Sequence, residues 1–209
     1  IYIALMKQIE LKPEIEQLKL KVYEGGVYEQ NIVEDKLTQP GEELTIHELI
    51  QRSIINSDNR AIQTLLNYIG VYAFNDVLRD HGLPEANIMD KTIYKVTPQE
   101  YSAFFRVLYN ATYLKPESSE KILEMLTRTG FGKGIRSGVP NSVPIAHKFG
   151  EQVVHSDIGT TYELHDCGIV YAERPYMICI MTKGDSFETL YQIMRLVSSK
   201  TYEVMTGED

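Results

Sequence analysis

The sequence has few cysteines, no long apolar run and no concentration of basic residues. Its only cysteines are Cys167 and Cys179, too few for a disulfide scaffold or a four-cysteine metal site. No apolar stretch approaches the roughly 20 residues of a membrane-spanning helix, and no signal peptide opens the chain. The 21 Lys and Arg against 29 Asp and Glu leave a net charge of -8, without a basic stripe for phosphates. We therefore expect no nucleic-acid partner, no metal and no cofactor.

The two cysteines stand on segments that are typical of paired strands. If the turn between them lies at Glu173-Arg174-Pro175, Cys167 and Cys179 face each other, and a cross-strand disulfide is geometrically feasible. Free cysteines are nevertheless common in protein interiors. We therefore prefer two reduced, half-buried thiols and keep the disulfide as the alternative.

What the sequence does contain is a long helical part. Thr45 and Glu48 have the spacing of a capping box, and apolar residues recur behind them at helical period. That helix runs into the polar triplet Ser57-Asp58-Asn59. A second apolar stripe follows until Gly70, which can end a helix in a left-handed conformation. The triplet therefore lies in a short connection between two helices.

The remaining elements divide the chain into helices followed by strands. Further helices are predicted over 71–81, from the cap Thr97 and over 116–126, before a loop rich in Gly, Ser and Pro at 129–142. Three strands and a closing helix follow, at 144–150, 167–172 and 176–182 and from Ser186, with Phe187, Leu190, Met194 and Val197 on one helix face. This order predicts an α+β fold in two lobes. Residues 1–135 form a mainly helical lobe and residues 136–209 a sheet lobe.

Taken alone, the triplet has an ordinary explanation, because Ser, Asp and Asn cap helices and form interhelical turns. Its place among other features favours a site. One patterned helix leads into the triplet and a second leads out of it. The Thr97 helix start and a strand with Lys148-Phe149-Gly150 come later in the chain. That order resembles the penicillin-recognising serine hydrolases, in the branch of class A β-lactamases and penicillin-binding proteins, with motifs S-x-x-K, S-D-N and K-[ST]-G. The resemblance implies a helical lobe beside an antiparallel sheet covered by helices.

The resemblance also implies a role for each matching residue. Ser57 passes a proton to the leaving group, and Lys148 supplies positive charge beside it. Asn59 hydrogen-bonds the amide of the substrate's side chain, while Asp58 points inward and braces the loop.

On the strand side, the resemblance implies a binding edge and an oxyanion hole. Gly150 belongs to the substrate-binding edge, and the backbone N–H of Glu151 forms half of the oxyanion hole. Arg136 lies near the position of an active-site arginine, where it would hold a substrate anion together with Lys148.

Three features depart from the family pattern, and the first concerns the nucleophile. No S-x-x-K lies within the opening helix, so we expect the nucleophilic serine, its lysine and the first strands of the sheet just before Ile1. Ser118 and Lys121 have the right spacing, but they follow the second motif, where the family order forbids a nucleophile.

The other two departures concern the substrate and the release of product. Phe149 replaces the hydroxyl residue of the third motif and cannot donate to a carboxylate. The stretch 81–100 has no recognisable version of the loop that carries a deacylating Glu, and Glu85 is the only candidate in its first half. Without a base for water, an acyl-enzyme persists.

The expected function is therefore an extracytoplasmic serine acyl-enzyme. It acts on a β-lactam or on a D-amino-acid peptide of the peptidoglycan type, and it deacylates slowly. The alternative is a catalytically silent binding or scaffold domain that keeps the same fold. Phe149 and the missing Glu motif favour that alternative.

Overall fold

A computed structural model describes residues 1–33, 37–86, 95–157 and 159–207 of the chain. Within these ranges the chain forms helices first and a sheet second, as the order of the sequence signals predicts. The α-helices are α1 Tyr2–Leu11, α2 Ile46–Ile55, α3 Asn59–Asp80, α4 Pro98–Tyr109, α5 Pro116–Thr127 and α6 Phe187–Thr206. The strands are β1 Lys19–Lys21, β2 Glu43–Thr45, β3 Ile145–Ser156, β4 Gly159–Val170 and β5 Tyr176–Gly184. Short 3-10 turns cover Pro13–Gln17 and Ile135–Gly138.

Both predicted capping boxes form. The Thr45 side chain accepts from the backbone N–H of Glu48 at 3.1 Å, and the Glu48 carboxylate accepts from the Thr45 N–H at 2.8 Å. Thr97 and Glu100 make the same reciprocal pair at the start of α4. Each pair satisfies N–H groups that a helix start leaves without an intrahelical partner, so the sequence locates these two starts.

Gly70 breaks the helical backbone inside α3. Its φ of 76° and ψ of 161° separate a first half that leads away from the triplet from a second half that ends at Asp80. The predicted break is therefore confirmed, although Gly70 adopts an extended ψ and not a left-handed helical conformation. Positive φ without a Cβ penalty is available to Gly, which explains this residue at the bend.

A small ladder in the helical part was not predicted. β1 and β2 pair antiparallel, with Leu20 opposite Leu44, so the first part is not purely helical. Each strand has three residues and their partners are far apart in sequence. No local pattern of that length distinguishes a strand from a loop.

The main sheet is antiparallel in the order β3-β4-β5. β3 and β4 pair continuously from Ile145 opposite Val170 to Ser156 opposite Gly159. Both strands are therefore longer than the segments predicted from apolar content. The added residues form the more exposed end of the hairpin, where polar side chains are tolerated and the hydrophobic signal is weak.

The two faces of the sheet belong to different cores. Phe149 and Leu164 pack with Leu190 of α6, whereas Ala146 and Cys167 pack with the helices of the first part. Successive residues of a strand point to opposite faces, so β3 contributes to both cores at once. An α+β fold with helices covering an antiparallel sheet is thereby confirmed. We keep the division at residues 135 and 136 as a proposal.

The buried face of α6 differs from the predicted one at its C-terminal half. Leu190 and Met194 are fully buried, but Val197 is 42% exposed, and Ser198 is buried in its place. The Ser198 hydroxyl donates to the carbonyl of Ile135 at 2.8 Å. A polar side chain that pairs with a backbone carbonyl can be buried, and hydrophobic periodicity does not detect it. None of the helices in the described ranges has the length and apolar content needed to cross a membrane.

Cys167 and Cys179 form a disulfide between β4 and β5. They are directly opposite each other in the ladder, which follows from the turn between Val170 and Tyr176. Our preference for two reduced thiols was wrong, and the alternative holds. The composition did not decide between the two because the register of a hairpin depends on the turn, and a shift of one residue separates the sulfurs.

We expect the disulfide to contribute to stability. Replacing both Cys167 and Cys179 by Ala should lower the free energy of unfolding in urea by about 2 to 3 kcal/mol, because the bond closes a short loop in the unfolded chain. The measurement is a urea unfolding curve, with addition of a reductant to the unmodified protein as a second arm. If the reductant also changed the unfolding curve of the double variant, the effect of the reductant on stability would not be due to this bond.

Candidate active site

A cavity of about 810 Å³ lies between the helices and the edge strand β3. It brings together most of the residues predicted from the sequence: Ser57, Asn59, Lys148, Gly150 and Glu151 are among those that line it. They come from the α2–α3 junction and from β3, which are far apart in sequence. The fold therefore joins the second and third motifs at one cleft.

Ser57 has an unusual backbone conformation. Its φ is 56°, in the left-handed region that non-glycine residues seldom occupy. Its hydroxyl accepts a hydrogen bond from the Nζ of Lys148. Residues held in sparsely populated backbone regions often mark functional sites, because the surrounding structure must compensate for the strain.

Lys148 is a buried cation. Its side chain also donates to the carbonyl of Phe149 at 2.9 Å. Burial lowers the pKa of Lys148 to about 8, against the opposing effect of Asp166 and Glu151. Lys148 is therefore mainly protonated at pH 7, with about a tenth of it neutral, and this lowered pKa favours proton exchange with Ser57.

The side chain of Phe149 lies in the core on the α6 side of the sheet. It is 2% exposed and packs on Phe131, with ring centroids 4.4 Å apart. The Phe149 side chain therefore contributes no hydrogen-bond donor to the cavity. A phenylalanine packed in the hydrophobic core thus stands where the third motif normally has a hydroxyl residue.

Asp58 is 1% exposed and caps α3. One carboxylate oxygen accepts from the backbone N–H groups of Arg60 at 2.9 Å and Ala61 at 3.0 Å. The other oxygen accepts from the N–H of Thr38 at 2.5 Å. The carboxylate thus holds the turn that presents Ser57 and ties a neighbouring loop to it.

The segment 28–33 crosses the cleft and contacts both motifs. The Asn59 amide donates to the carbonyl of Tyr28 at 3.1 Å. On the opposite side, the Glu151 carboxylate accepts from the N–H groups of Asn31 and Ile32, each at 2.9 Å. Burial raises the pKa of Glu151, and these backbone hydrogen bonds oppose that effect. Besides its backbone N–H, Glu151 therefore contributes its carboxylate to the site, where it holds the segment 28–33.

Arg136 does not reach the cleft. It is not one of the lining residues of the cavity. Its guanidinium donates to the carbonyl of Val143 at 2.6 Å and to that of Val139 at 2.7 Å, within its own loop. The predicted role in anion binding does not fit this geometry, and we leave Arg136 out of the site. Arg136 is close to β3 in the sequence, but this closeness does not determine where its side chain points.

Glu85 is not brought to the cavity either. Its carboxylate accepts from Arg79 at 3.2 Å on the surface, and it is not a lining residue. Residues 87–94, part of the stretch in which a deacylating Glu motif was sought, lie outside the described residues.

His165 and Tyr101 are among the lining residues that sequence reasoning missed. His165 is directly opposite Gly150 in the β3–β4 ladder, and its ring meets that of Tyr101 edge-on, with centroids 5.9 Å apart. No signal in the sequence gave His165 a role at this site. The pairing of β3 with β4 would have placed it beside Gly150, but that register is not evident from composition.

The helical lobe, the antiparallel sheet and the Ser57–Lys148 contact between them define the architecture of β-lactamase-like serine hydrolases. The profile of the Beta-lactamase2 family, described as the beta-lactamase enzyme family, matches residues 2–205. The chain belongs to this family. No curated protein sequence matches it.

Solved structures show the same fold at low sequence identity. A class A β-lactamase from Bacteroides cellulosilyticus DSM 14838 has a TM-score of 0.80 and 16% identity, over 99% of this chain and 81% of that one. TLA-1 extended-spectrum β-lactamase has a TM-score of 0.79 and 17% identity, over 98% and 80%. A mutant of PBP-A, solved as an acyl-enzyme complex with penicillin G, has a TM-score of 0.77 and 18% identity, over 99% and 78%.

The positive φ of Ser57 gives a test of its backbone conformation. Replacement by Gly should stabilise the protein by about 1 kcal/mol relative to replacement by Ala, because Gly adopts positive φ without a Cβ clash. Both variants lack the hydroxyl, so any difference in unfolding free energy reports the backbone alone. Equal stability of the two variants would show that Ser57 is not held in this conformation.

The buried Lys148 should cost stability at neutral pH. Since its pKa falls from 10.5 unfolded to about 8 folded, the unfolded state binds more protons between these values. The contribution of Lys148 to the free energy of unfolding should therefore rise by about 3 kcal/mol as the pH increases across this window.

Replacing Lys148 by Met removes this dependence. At pH 7 the variant should be more stable than the unmodified protein by about 2 kcal/mol, and the difference should shrink above about pH 8. Lys200→Met, at an exposed surface pair with Glu203, is the control and should change stability little. Urea unfolding at several pH values gives the result. A destabilised Lys148→Met variant at pH 7 would contradict it.

Proposed function

We propose that the protein is an extracytoplasmic serine acyl-enzyme that acts on a β-lactam or a peptidoglycan-like D-amino-acid peptide and deacylates slowly. The observation that carries the proposal is the contact between Lys148 and Ser57, in a cleft that also contains Asn59. A buried lysine of lowered pKa beside a hydroxyl suits proton transfer in acyl transfer chemistry.

Four groups at the cleft have a role in this proposal. Ser57 passes a proton to the leaving group, and Lys148 supplies the charge that makes this transfer favourable. Asn59 orients the acyl group by hydrogen bonding to its amide, and the backbone N–H of Glu151 stabilises the developing oxyanion. The penicillin G acyl-enzyme of the PBP-A mutant supports this chemistry for the fold.

The reaction needs a nucleophilic serine in addition to Ser57. The family resemblance expects this serine before Ile1, on the segment that leads into α1. The proposal therefore concerns the protein in its full natural length, and the position of the adduct is part of the test.

The carboxylates at the cavity support slow deacylation. Among the lining residues that the structure describes, Glu151 is bound to two backbone N–H groups and Glu163 is paired with Lys183 at 3.2 Å. A carboxylate already engaged in this way is a poor base for activating water. An acyl-enzyme with no efficient base for water resembles a penicillin-binding protein in its behaviour more than an efficient β-lactamase.

The disulfide supports the proposed location. Disulfides form and persist mainly in oxidising compartments, outside the cytoplasm of most cells. The bond between Cys167 and Cys179 is therefore compatible with a secreted or envelope-associated protein that meets peptidoglycan.

A catalytically silent binding domain is the second candidate. The core position of Phe149 favours it, because the third motif then supplies no hydroxyl for a substrate carboxylate. The retained contact between Ser57 and Lys148 favours the enzyme, since a silent domain has no requirement for a buried lysine that costs stability.

The test is intact-mass spectrometry of the full-length protein with and without benzylpenicillin, followed by peptide mapping. We expect a mass increase equal to one penicillin on a serine upstream of Ile1, and its persistence after removal of free ligand. Ser57→Ala should form the adduct at least about tenfold more slowly, as expected for loss of a positioned proton relay. Asn67→Ala, on the exposed side of α3, is the control and should react at the normal rate.

The remaining outcomes separate the candidates. No adduct on the folded protein at high ligand concentration would overturn the enzyme and support the silent domain. An adduct on Ser57 itself would assign nucleophilic attack to the Ser57–Lys148 pair and overturn the relay role. Rapid loss of the adduct would contradict slow deacylation only.

A further inference from the structure

His165 is a titratable side chain of the cavity that the proposed reaction leaves without a role. It lies on β4, directly opposite Gly150 on β3 and Met181 on β5. Its imidazole packs over Gly150 so closely that any Cβ at that position would collide with Nε2. The third motif therefore has His165 covering its glycine, on the face of the sheet that borders the cleft.

The ring nitrogens of His165 are available to a ligand. Within residues 1–33, 37–86, 95–157 and 159–207, His165 makes a ring contact with Tyr101 but has no hydrogen bond or ion pair. Its nitrogens are also not among the fully buried polar atoms that lack a partner. The contrast is His147 on the same sheet, whose Nδ1 lies 2.9 Å from the Asp166 carboxylate in the interior. His147 is held by structure, whereas His165 is open to the cavity.

The surroundings of His165 favour its neutral form. Burial and then the charge of Lys148 lower its pKa, while Asp166 and Glu163 act in the opposite direction. Of the elements that pack against it, β3 contributes Lys148 and α4 contributes the phenol of Tyr101. β5 places Met181 opposite and adds Lys183, which is paired with Glu163 at 3.2 Å. An anion bound between Lys148 and His165 would offset their mutual repulsion and favour the imidazolium.

We propose that His165, together with Lys148, binds an anionic group of the substrate, such as a carboxylate, and takes up a proton when it does so. This inference rests on the proposed function for the class of substrate, and it assigns the donor that Phe149 does not provide. It also replaces Arg136, which is occupied in its own loop. Binding of a carboxylate should therefore tighten as the pH falls, whereas binding of a neutral analogue should not.

Two ligands that differ only in charge test the proposal. They are N-acetyl-D-alanyl-D-alanine and its C-terminal amide, and the measurement is calorimetric affinity between about pH 7.5 and 5.5, where Lys148 stays mainly protonated. We expect the preference for the carboxylate over the amide to increase about tenfold across this range, as a neutral donor becomes a charged one. The ring-proton NMR signal of His165 should show a higher pKa in the carboxylate complex than in the amide complex.

Three variants isolate the imidazole. His165→Gln should bind the carboxylate with a preference that no longer changes with pH. His165→Arg, a permanent cation, should keep the preference for the carboxylate but also lose its pH dependence. His155→Gln, on the exposed end of the hairpin, is the matched control and should behave as the unmodified protein does.

Two results would overturn the proposal. One is a pH-dependent preference that survives in His165→Gln, since another group would then carry it. The other is an absence of preference for the carboxylate in the unmodified protein, including an absence of binding at millimolar concentration. If benzylpenicillin still acylates that protein, the proposed function stands without this role for His165.

Discussion

The contact of Lys148 with Ser57 is the interaction on which the site depends. It joins the edge of the sheet to the junction of two helices, and each side is unfavourable by itself. The lysine is buried at a cost in solvation, and the serine is held with φ at 56°. The rest of the local structure compensates for both. Asp58 binds three backbone N–H groups around the serine, and two hydrophobic cores hold β3 between them.

The alternation of side chains along β3 explains how this strand serves stability and chemistry together. Lys148 and Gly150 face the cleft, while Phe149 faces the α6 side and packs on Phe131. The departure of the third motif from its family pattern is thus a change in core packing as well as in donor chemistry. His165, across the ladder from Gly150, lies where a replacement donor can reach the same space.

Electrostatics distinguish this cleft from a simple cationic pocket. Lys148 is one positive charge, and the nearby Glu151 carboxylate is bound by the segment that crosses the cleft. Arg136 is engaged elsewhere, and of the other two lysines of the described lining, Lys95 is exposed and Lys183 is paired with Glu163 at 3.2 Å. A substrate anion therefore meets one buried lysine and a neutral imidazole, and proton uptake becomes a natural part of binding.

Local signals in the sequence were sufficient for the starts of α2 and α4, the break at Gly70 and the order of helices before strands. These features depend on residues within a few positions of one another, so a short window contains the whole cause. The triplet at 57–59 was also recognisable as part of a site, because the order of the neighbouring elements along the chain indicated its role. Features that depend on distant partners were harder: the β1–β2 ladder and the full length of the β3–β4 hairpin were not predicted.

The sequence by itself determined the α+β class, the family and the two motifs that meet at the cleft. Only the tertiary structure decided which side chains reach that cleft. Arg136 turned out to be bound within its own loop, His165 was placed over Gly150, and the two cysteines were joined. The physical reason is common to all three. The direction and partner of each side chain depend on strand register and loop path, which arise from contacts between segments that are distant in the chain.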